Sequence, residues 1–285
     1  MRPLAGALHH AAINTATLGF RQSIAATIEA VARAGFGAIA PWRRELEGEQ
    51  IAAVARRIRD AGLAVSGYCR STYIPAVDAA AFAAGLADNR RAIDQAAALG
   101  AACFVMVVGG LPEGSRDLPG ARAQLAEGVA DLLRHAREAG VRLALEPLHP
   151  MYAADRSVLN TLAQALDLAA ALEPAPAGGP MLGVAIDVYH VWWDPDLFAG
   201  IARAGRDGRI LAYHVSDWRR DTRDLLNDRG MMGDGVIALK PIRAAVEAAG
   251  YAGAVEVEIF STRDWWRRDA EETLTVCRER LGTVC

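Results

Sequence analysis

An α/β fold, a single (β/α)8 TIM barrel spanning residues 1–285, is the architecture this sequence predicts, and three observations carry the expectation. Short apolar runs alternate eight times with longer Ala/Arg/Glu-rich segments. Several helical segments stop on a glycine just before an apolar run, as helix-to-strand junctions do. No composition break, low-complexity tract or linker divides the chain, and its length is ordinary for one such barrel. An open doubly wound sheet is the competing architecture, but no G-x-G-x-x-G follows the first strand.

The first strand is expected over Ala7 to Thr15. Its helix runs from Ser23, an N-cap residue, to Ala34 and closes at Gly35. Ala38 to Trp42 is the second strand, followed by Gly48 to Ala61 and Gly62. Leu63 to Cys69 is the third, followed by the long helix Asp78 to Leu99 and Gly100. Cys103 to Val108 is the fourth, with the Gly109-Gly110 pair read as a tight turn and a helix over Arg116 to Ala139 before Gly140. Val141 to Glu146 is the fifth strand, with a helix from Val158 to Leu172 and a Pro/Gly-rich loop over Glu173 to Pro180. Leu182 to Asp187 is the sixth, followed by a short helix over Asp196 to Arg203. Ile210 to Val215 is the seventh, with a polar loop, Ser216 to Gly235, and the helix Leu239 to Ala249 after it. Ala254 to Phe260 is the eighth, and Asp269 to Leu281 closes the chain.

A hydrophobic content of 52% is ample for a large core and excludes a mostly disordered chain. The formal net charge of -3, with no basic patch, argues against a nucleic-acid partner. No uninterrupted apolar segment is long enough to span a bilayer, and Met1 to Ala12 lacks the apolar stretch of a signal peptide. Cys69, Cys103, Cys277 and Cys285 show no C-x-x-C spacing. Buried free thiols are expected, and with them a reducing, cytoplasmic setting.

The chemistry gathers at the ends of the last four strands. Alternate residues of a strand share a face. Glu146 therefore points with Ala144, Asp187 with Ala185 and Gly183, His214 with Ala212, and Glu258 with Glu256. The Leu, Val and Ile residues between them point the other way, toward the helices. In a barrel this places Glu146, Asp187, His214 and Glu258 around one end of the axis. Carboxylates converging there with an imidazole resist desolvation without a cation. Such an oxygen-rich set suits one divalent metal ion, Mn2+ first, with Mg2+, Co2+ or Zn2+ as alternatives. Glu256 sits deeper on the same face and is expected to support the ligands or to pair with an arginine.

On these motifs the chain resembles the xylose isomerase-like superfamily of TIM-barrel sugar isomerases and epimerases. Its members include ketose 3-epimerases, hydroxypyruvate isomerase, inosose dehydratase and relatives of AP endonuclease. The matching positions are Glu146 in Leu-Ala-Leu-Glu-Pro, Asp187 in Ile-Asp-Val-Tyr-His, His214 in Tyr-His-Val-Ser-Asp and Glu258 in Val-Glu-Ile-Phe. The resemblance implies that these four bind one divalent metal. It implies that Glu146 and Glu258 double as acid and base on opposite sides of the substrate carbon. It also implies substrate-oxygen contacts from His190, three residues after Asp187, and from Arg220, six after His214.

Two features depart from the epimerase pattern. His149 falls just past Glu146 on a loop at the active-site face, where an imidazole can act as acid or base near neutral pH. In the loop after the seventh strand, Asp228-Arg-Gly-Met-Met-Gly-Asp-Gly235, glycines permit tight turns over a ligand, and Arg229 is expected to clamp a substrate oxygen or anion. Weaker candidates stand at other strand ends: Asn14, Trp42, Arg43 and Arg70, then Trp192, Trp193, Trp265 and Trp266. Of these, Trp42 is expected to stack on the apolar face of a sugar ring. His9-His10 is read as structural.

The expected function is a metal-dependent isomerase or epimerase acting on a small sugar or polyol ketone, without phosphate. Proton abstraction beside the carbonyl gives an enediolate, and reprotonation completes the reaction. The alternative on the same site is a lyase, dehydratase or 3-keto-glycoside-cleaving enzyme working by β-elimination, with His149 as the acid for the leaving group. A homo-oligomer, dimer or tetramer, is expected from the aromatic residues at the rim.

Overall fold

A computed structural model of the chain describes residues 1–4, 6–174 and 178–285. Its strands are β1 Ala11–Asn14, β2 Ala38–Ala40, β3 Ala64–Val65, β4 Tyr68–Cys69, β5 Phe104–Met106, β6 Leu143–Leu145, β7 Leu182–Asp187, β8 Ile210–Val215 and β9 Val255–Val257. They pair in parallel in the order β3-β2-β1-β9-β8-β7-β6-β5-β4. β3 and β4 are the two halves of the expected third strand, the first pairing with β2 and the second with β5. A parallel bridge between Trp42 and Cys69 joins β2's continuation to β4 and closes the ring. The eight-stranded barrel expected from the sequence is therefore present.

The split of the third strand has a local cause. Ser66 donates from Oγ to Glu256 Oε2 at 2.6 Å inside the barrel. The next residue, Gly67, also faces inward, its Cβ direction lying 3.4 Å from Val105 Cγ2. Two consecutive inward residues break the alternation of a regular pleat, so the ladder lapses there.

The helices are α1 Ile24–Arg33, α2 Ile51–Asp60, α3 Ala79–Leu99, α4 Leu118–Ala139, α5 Leu162–Leu172, α6 Val188–Val191, α7 Leu197–Arg206, α8 Leu239–Ala248 and α9 Ala270–Thr283. Side chains of Ser23, Asp78, Asp117, Thr161 and Asp269 accept hydrogen bonds from first-turn N–H groups, which sets where those helices begin. α5 starts four residues later than expected because Val158 is drawn into a pairing with Gly109, its N–H donating to Gly109 O at 2.9 Å. Gly109, at φ 102°, is thus a paired residue and not merely a tight turn. Part of the loop expected over Glu173 to Pro180 lies outside the described residues.

The strand faces sort as their alternation requires. Leu143, Leu145, Val184, Ile186, Tyr213, Val215, Val255 and Val257 join the large core between strands and helices. Ala144, Ala185, Ala212, Cys69 and Cys103 form a separate small cluster inside the barrel. Small interior residues leave room at the C-terminal mouth for the polar groups above them. All four cysteines are buried and unpaired. Among the described residues no helix is long and apolar enough to cross a membrane.

Candidate metal centre

Four ligating side chains arrive from the ends of four neighbouring strands. Glu146 is the residue after β6, Asp187 the last of β7, His214 lies within β8, and Glu258 is the residue after β9. Each is buried and offers one ligand atom, and these atoms lie within 4.8 Å of one another. Asp187 also accepts from Tyr189 N–H at 2.9 Å, capping the unexpected one-turn helix α6 and fixing its own carboxylate.

The polar accounting of this cluster fits a cation. Glu146 Oε1 and both ring nitrogens of His214 are buried without a hydrogen-bond partner. His214 Nδ1 does stand 3.1 Å from Glu146 Oε1 and 3.5 Å from Glu258 Oε2, but the atoms are not aligned for hydrogen bonding. Lone pairs crowded together and unaligned with any N–H are what a shared ion satisfies. Three carboxylates and an imidazole are a donor set for a divalent metal.

Glu256 lies beneath the cluster and, among the described residues, pairs with no arginine, contrary to one expectation. Its carboxylate accepts from Asn14 Nδ2 at 2.9 Å and Ser66 Oγ at 2.6 Å, and stands 3.4 Å from His214 Nε2. An amide donor from β1 and a hydroxyl donor from the broken third strand take the place of an arginine. With Nε2 facing Glu256, Nδ1 is the nitrogen turned to Glu146 and Glu258. A carboxylate behind a histidine in this way fixes its orientation.

Electrostatics separate the two glutamates. Burial pushes the Glu146 carboxyl up to about 7 against the opposing pull of His214. Burial acts on Glu258 in the same sense, but His214 and Arg229 outweigh it and hold this carboxyl below the usual range. Asn14 Nδ2 adds a hydrogen bond to Glu258 Oε1 at 3.0 Å. Burial alone would lower His214, yet the carboxylates of Glu256, Glu146 and Glu258 raise it well above its ordinary value.

Arg229 is the cation the cluster already owns. It is 2% exposed, with Nη1 donating to Asp187 Oδ2 at 2.8 Å and Glu258 Oε2 at 3.2 Å, and Nη2 lying 3.1 Å from His190 Nε2. Its guanidinium also lies over the Tyr189 ring. The expected clamp on a substrate oxygen is thus redirected: Arg229 reaches the cavity wall, but its nitrogens are engaged by the ligands themselves. The loop that delivers it is organised by Asp217, whose carboxylate accepts from the N–H groups of Trp218, Gly233, Gly235 and Ile237, each at 2.9 Å. Asp217 and Gly230 exchange backbone hydrogen bonds, and Arg229 N–H donates to Phe260 O. Gly235 is required there, since a Cβ would meet Trp218 O at 2.1 Å.

The cavity above the cluster is about 300 Å³, at the small end for small-molecule sites. Glu146, Glu258, His190, Arg229 and Trp42 all line it, as do Phe260 and Trp266. Trp42 donates from Nε1 to Asn14 Oδ1 at 2.7 Å and meets Phe260 edge-on, so its ring is held rigid in the wall. His190 is buried and accepts at Nδ1 from His149 N–H at 3.3 Å; burial lowers it to about 3, so the ring is neutral.

Two expected site residues lie elsewhere. Arg220 is exposed at the start of the loop, outside the cavity lining, because the Asp217-centred turn carries the chain away before returning with Arg229. His149 is half-buried and also outside the lining: its ring stacks on Trp218 at 4.8 Å and meets Trp193 edge-on at 5.7 Å. These aromatic contacts, and its Nδ1 accepting from Met151 N–H at 3.3 Å, hold it in the loop and away from the cavity. Trp192, Trp193 and Trp265 likewise do not line the cavity. Arg44, Tyr152 and Arg156 do, unannounced by the sequence except that Arg44 adjoins Arg43 at a strand end.

A family model described as xylose isomerase-like TIM barrel matches residues 28–280. Protein SMc04130 from Sinorhizobium meliloti 1021 superposes with a TM-score of 0.93 at 51% identity, covering 98% of this chain and 99% of that one. A structure of IolI protein with a bound zinc atom superposes with a TM-score of 0.81 at 18% identity, covering 96% and 97% of the two chains. A ketose 3-epimerase from Arthrobacter globiformis is 30% identical over 208 residues, 70% of this chain and 65% of that protein. An inosose isomerase from Halalkalibacterium halodurans is 25% identical over 159 residues, 55% of this chain and 52% of its own length. The matched part of the chain thus spans about half to two-thirds of these two curated relatives.

Proposed function

Since this chain belongs to the xylose isomerase-like TIM barrel family, we propose that it is a divalent-metal-dependent isomerase or epimerase acting on a ketose or related keto-sugar. The observation that carries this reading is the buried convergence of Glu146, Asp187, His214 and Glu258, the first and last of which line a sugar-sized cavity. Similarity to proteins named ketose 3-epimerase and inosose isomerase supports the substrate class. The donor set supports Mn2+ first among Mn2+, Mg2+, Co2+ and Zn2+. The four buried, unpaired thiols support a reducing, cytoplasmic setting.

The four ligands would hold the ion, which when bound polarises a carbonyl and its neighbouring hydroxyl and so acidifies the adjacent C–H. Glu146, raised toward neutrality and with Oε1 free of hydrogen bonds, is suited to take up and return that proton. Glu258, pinned by Asn14 and Arg229, stays ionised and holds negative charge in place. His190 lines the wall as a neutral imidazole whose two nitrogens face His149 N–H and Arg229 Nη2, so it braces Arg229 beneath the sugar. Trp42 and Trp266 supply rigid aromatic faces that cover the apolar side of a sugar ring and exclude water.

The decisive experiment incubates metal-loaded protein with a panel of ketoses and keto-sugars in D2O and follows exchange by NMR. Deuterium entering a carbon beside the carbonyl, with isomerised or epimerised product, is the expected result. Glu146→Gln should abolish it. Loss of a substituent from the sugar, or full activity in the variant, would overturn the reading.

A further inference from the structure

We propose that the substrate of this site carries an anionic group, a carboxylate or a phosphate ester, which seats between Arg44 and Arg70 at the outer end of the cavity. This rests on the reading of the cavity as a keto-sugar site and names the kind of sugar it takes.

The charge layout of the cavity is lopsided. Among the described residues Glu146 and Glu258 are the only carboxylates in its lining, and both belong to the floor. Arg229 is spent on that floor. The remaining charged residues of the lining, Arg44, Arg70 and Arg156, are all cationic. Arg44 and Arg70 also line an adjoining hollow, formed with Arg43, Thr72 and Tyr73, that contains none of the metal-ligating residues. They therefore mark the junction where the cavity opens outward.

Among the described residues neither arginine has a carboxylate partner. Arg43, between them in the same wall, pairs with Asp88 at 2.8 Å and Thr72 Oγ1 at 3.2 Å. Arg70 makes one protein hydrogen bond, from Nη1 to Ser71 O at 3.3 Å. Arg44 makes none, and the neighbouring Glu45 carboxylate is engaged by Thr15 Oγ1 and Trp42 N–H. Arg156 has only the exposed Asp155, at 3.6 Å.

Both unpaired guanidinium groups are nonetheless held in place. Arg44 lies over the Phe20 ring with 4.5 Å to its centroid, and Arg70 over Tyr73 at 4.8 Å. Stacking fixes the plane of a guanidinium while leaving its N–H edge free, which is how an arginine fork is prepared for a planar oxyanion. A hydroxyl of a neutral sugar accepts from one N–H of such an edge, whereas an oxyanion accepts from two and balances its charge. A sugar with an oxyanion at the end remote from its carbonyl matches the acidic, metal-binding floor and the cationic rim together.

The test uses three probes that differ only at one carbon: D-fructose, D-fructose 6-phosphate and D-fructuronate. Binding to the metal-loaded protein is followed by tryptophan fluorescence, since Trp42 and Trp266 line the cavity. At least one charged probe is expected to bind roughly tenfold or more tightly than D-fructose at low salt, as charge-assisted hydrogen bonds imply. The gap should narrow as salt rises. In the R44A/R70A double variant the charged-to-neutral ratio should fall to about one, and R70K should restore part of it. Reading the ratio removes any general loss from misfolding, which would weaken all three probes together. Preference for the phosphate or for the carboxylate supports the subsite and identifies its anion. Equal binding of all three probes, or an unchanged ratio in the double variant, overturns it. The proposed reaction is tested separately by deuterium exchange: charge preference without exchange on any sugar sinks the reaction and leaves the subsite. Exchange on D-fructose without charge preference does the reverse.

Discussion

Arg229→Met removes the cation that, alone among the described residues, touches both Asp187 and Glu258, while keeping a side chain of similar length in the wall. Nη1 lies 2.8 Å from one carboxylate and 3.2 Å from the other, and all three residues are almost fully buried. Deleting one partner of a buried charge pair leaves the other uncompensated, at a cost of about 3–5 kcal/mol. For a chain of 285 residues, with an unfolding entropy of about 2.1 cal/mol/K per residue, that is a fall in Tm of roughly 5–8 °C. A divalent ion bound among the same carboxylates would supply the missing positive charge, so saturating Mn2+ should recover at least about half of the loss. The assay is thermal unfolding of wild type and variant, each in chelator and in excess Mn2+. A variant that melts with wild type in chelator would refute the dependence of the two carboxylates on Arg229. A difference that is the same with and without Mn2+ would refute the placement of an ion among them.

Metal binding should also depend on pH with a defined sign. The Glu146 carboxyl, at an ordinary value of 4.5, is raised to about 7 by burial. In that window the folded metal-free protein binds more protons than the unfolded chain, so this group's contribution to stability is present below about pH 4.5 and lost as pH rises through about 7. Metal needs the anion, so its affinity should rise over the same window with protons released, measurable by calorimetry in buffers of different ionisation enthalpy; affinity falling with pH would contradict it. Glu256→Gln should weaken metal affinity roughly 10–100-fold at unchanged stoichiometry, because it loosens His214 without removing a ligand. Affinity equal to wild type by competitive chelation would dismiss the orienting role. His149→Ala should change kcat by less than about threefold and cost about 0.5–1.5 kcal/mol of stability from its contacts with Trp218 and Trp193. A hundredfold fall in kcat at intact fold would return His149 to the chemistry.

The barrel and its four converging ligands were legible in the sequence because the signals involved are local. A strand's two-residue period assigns Glu146, Asp187, His214 and Glu258 to the face of Ala144, Ala185 and Ala212, and the interior cluster keeps that assignment. The glycines and caps at helix ends, such as Ser23, Asp78 and Gly100, act within one turn, so those boundaries also fell close to expectation. Loops obey no such period. The family resemblance pointed to Arg220, six residues after His214, yet four backbone N–H groups converging on Asp217 fold the segment so that Arg229, the other arginine expected from this loop, enters the site instead. Proximity to Glu146 pointed to His149, yet Trp193 and Trp218 capture its ring outside the cavity.

Glu256 shows both sides of this division. Its inward direction follows from parity with Glu258, but its partners, Asn14 from β1, Ser66 from the broken third strand and His214 from β8, are brought together only when the barrel closes. The same holds for the arginine rim, where Arg44, Arg70 and Arg156 come from three different loops. The sequence by itself determined the fold and the direction of each strand-borne ligand, since periodicity and capping are short-range. Which of the candidates outside the strands share the cavity with those ligands, Arg229, His190 and Trp42 but not Arg220 or His149, was decided only by the tertiary structure, because their positions depend on hydrogen bonds and ring contacts between segments far apart in the chain.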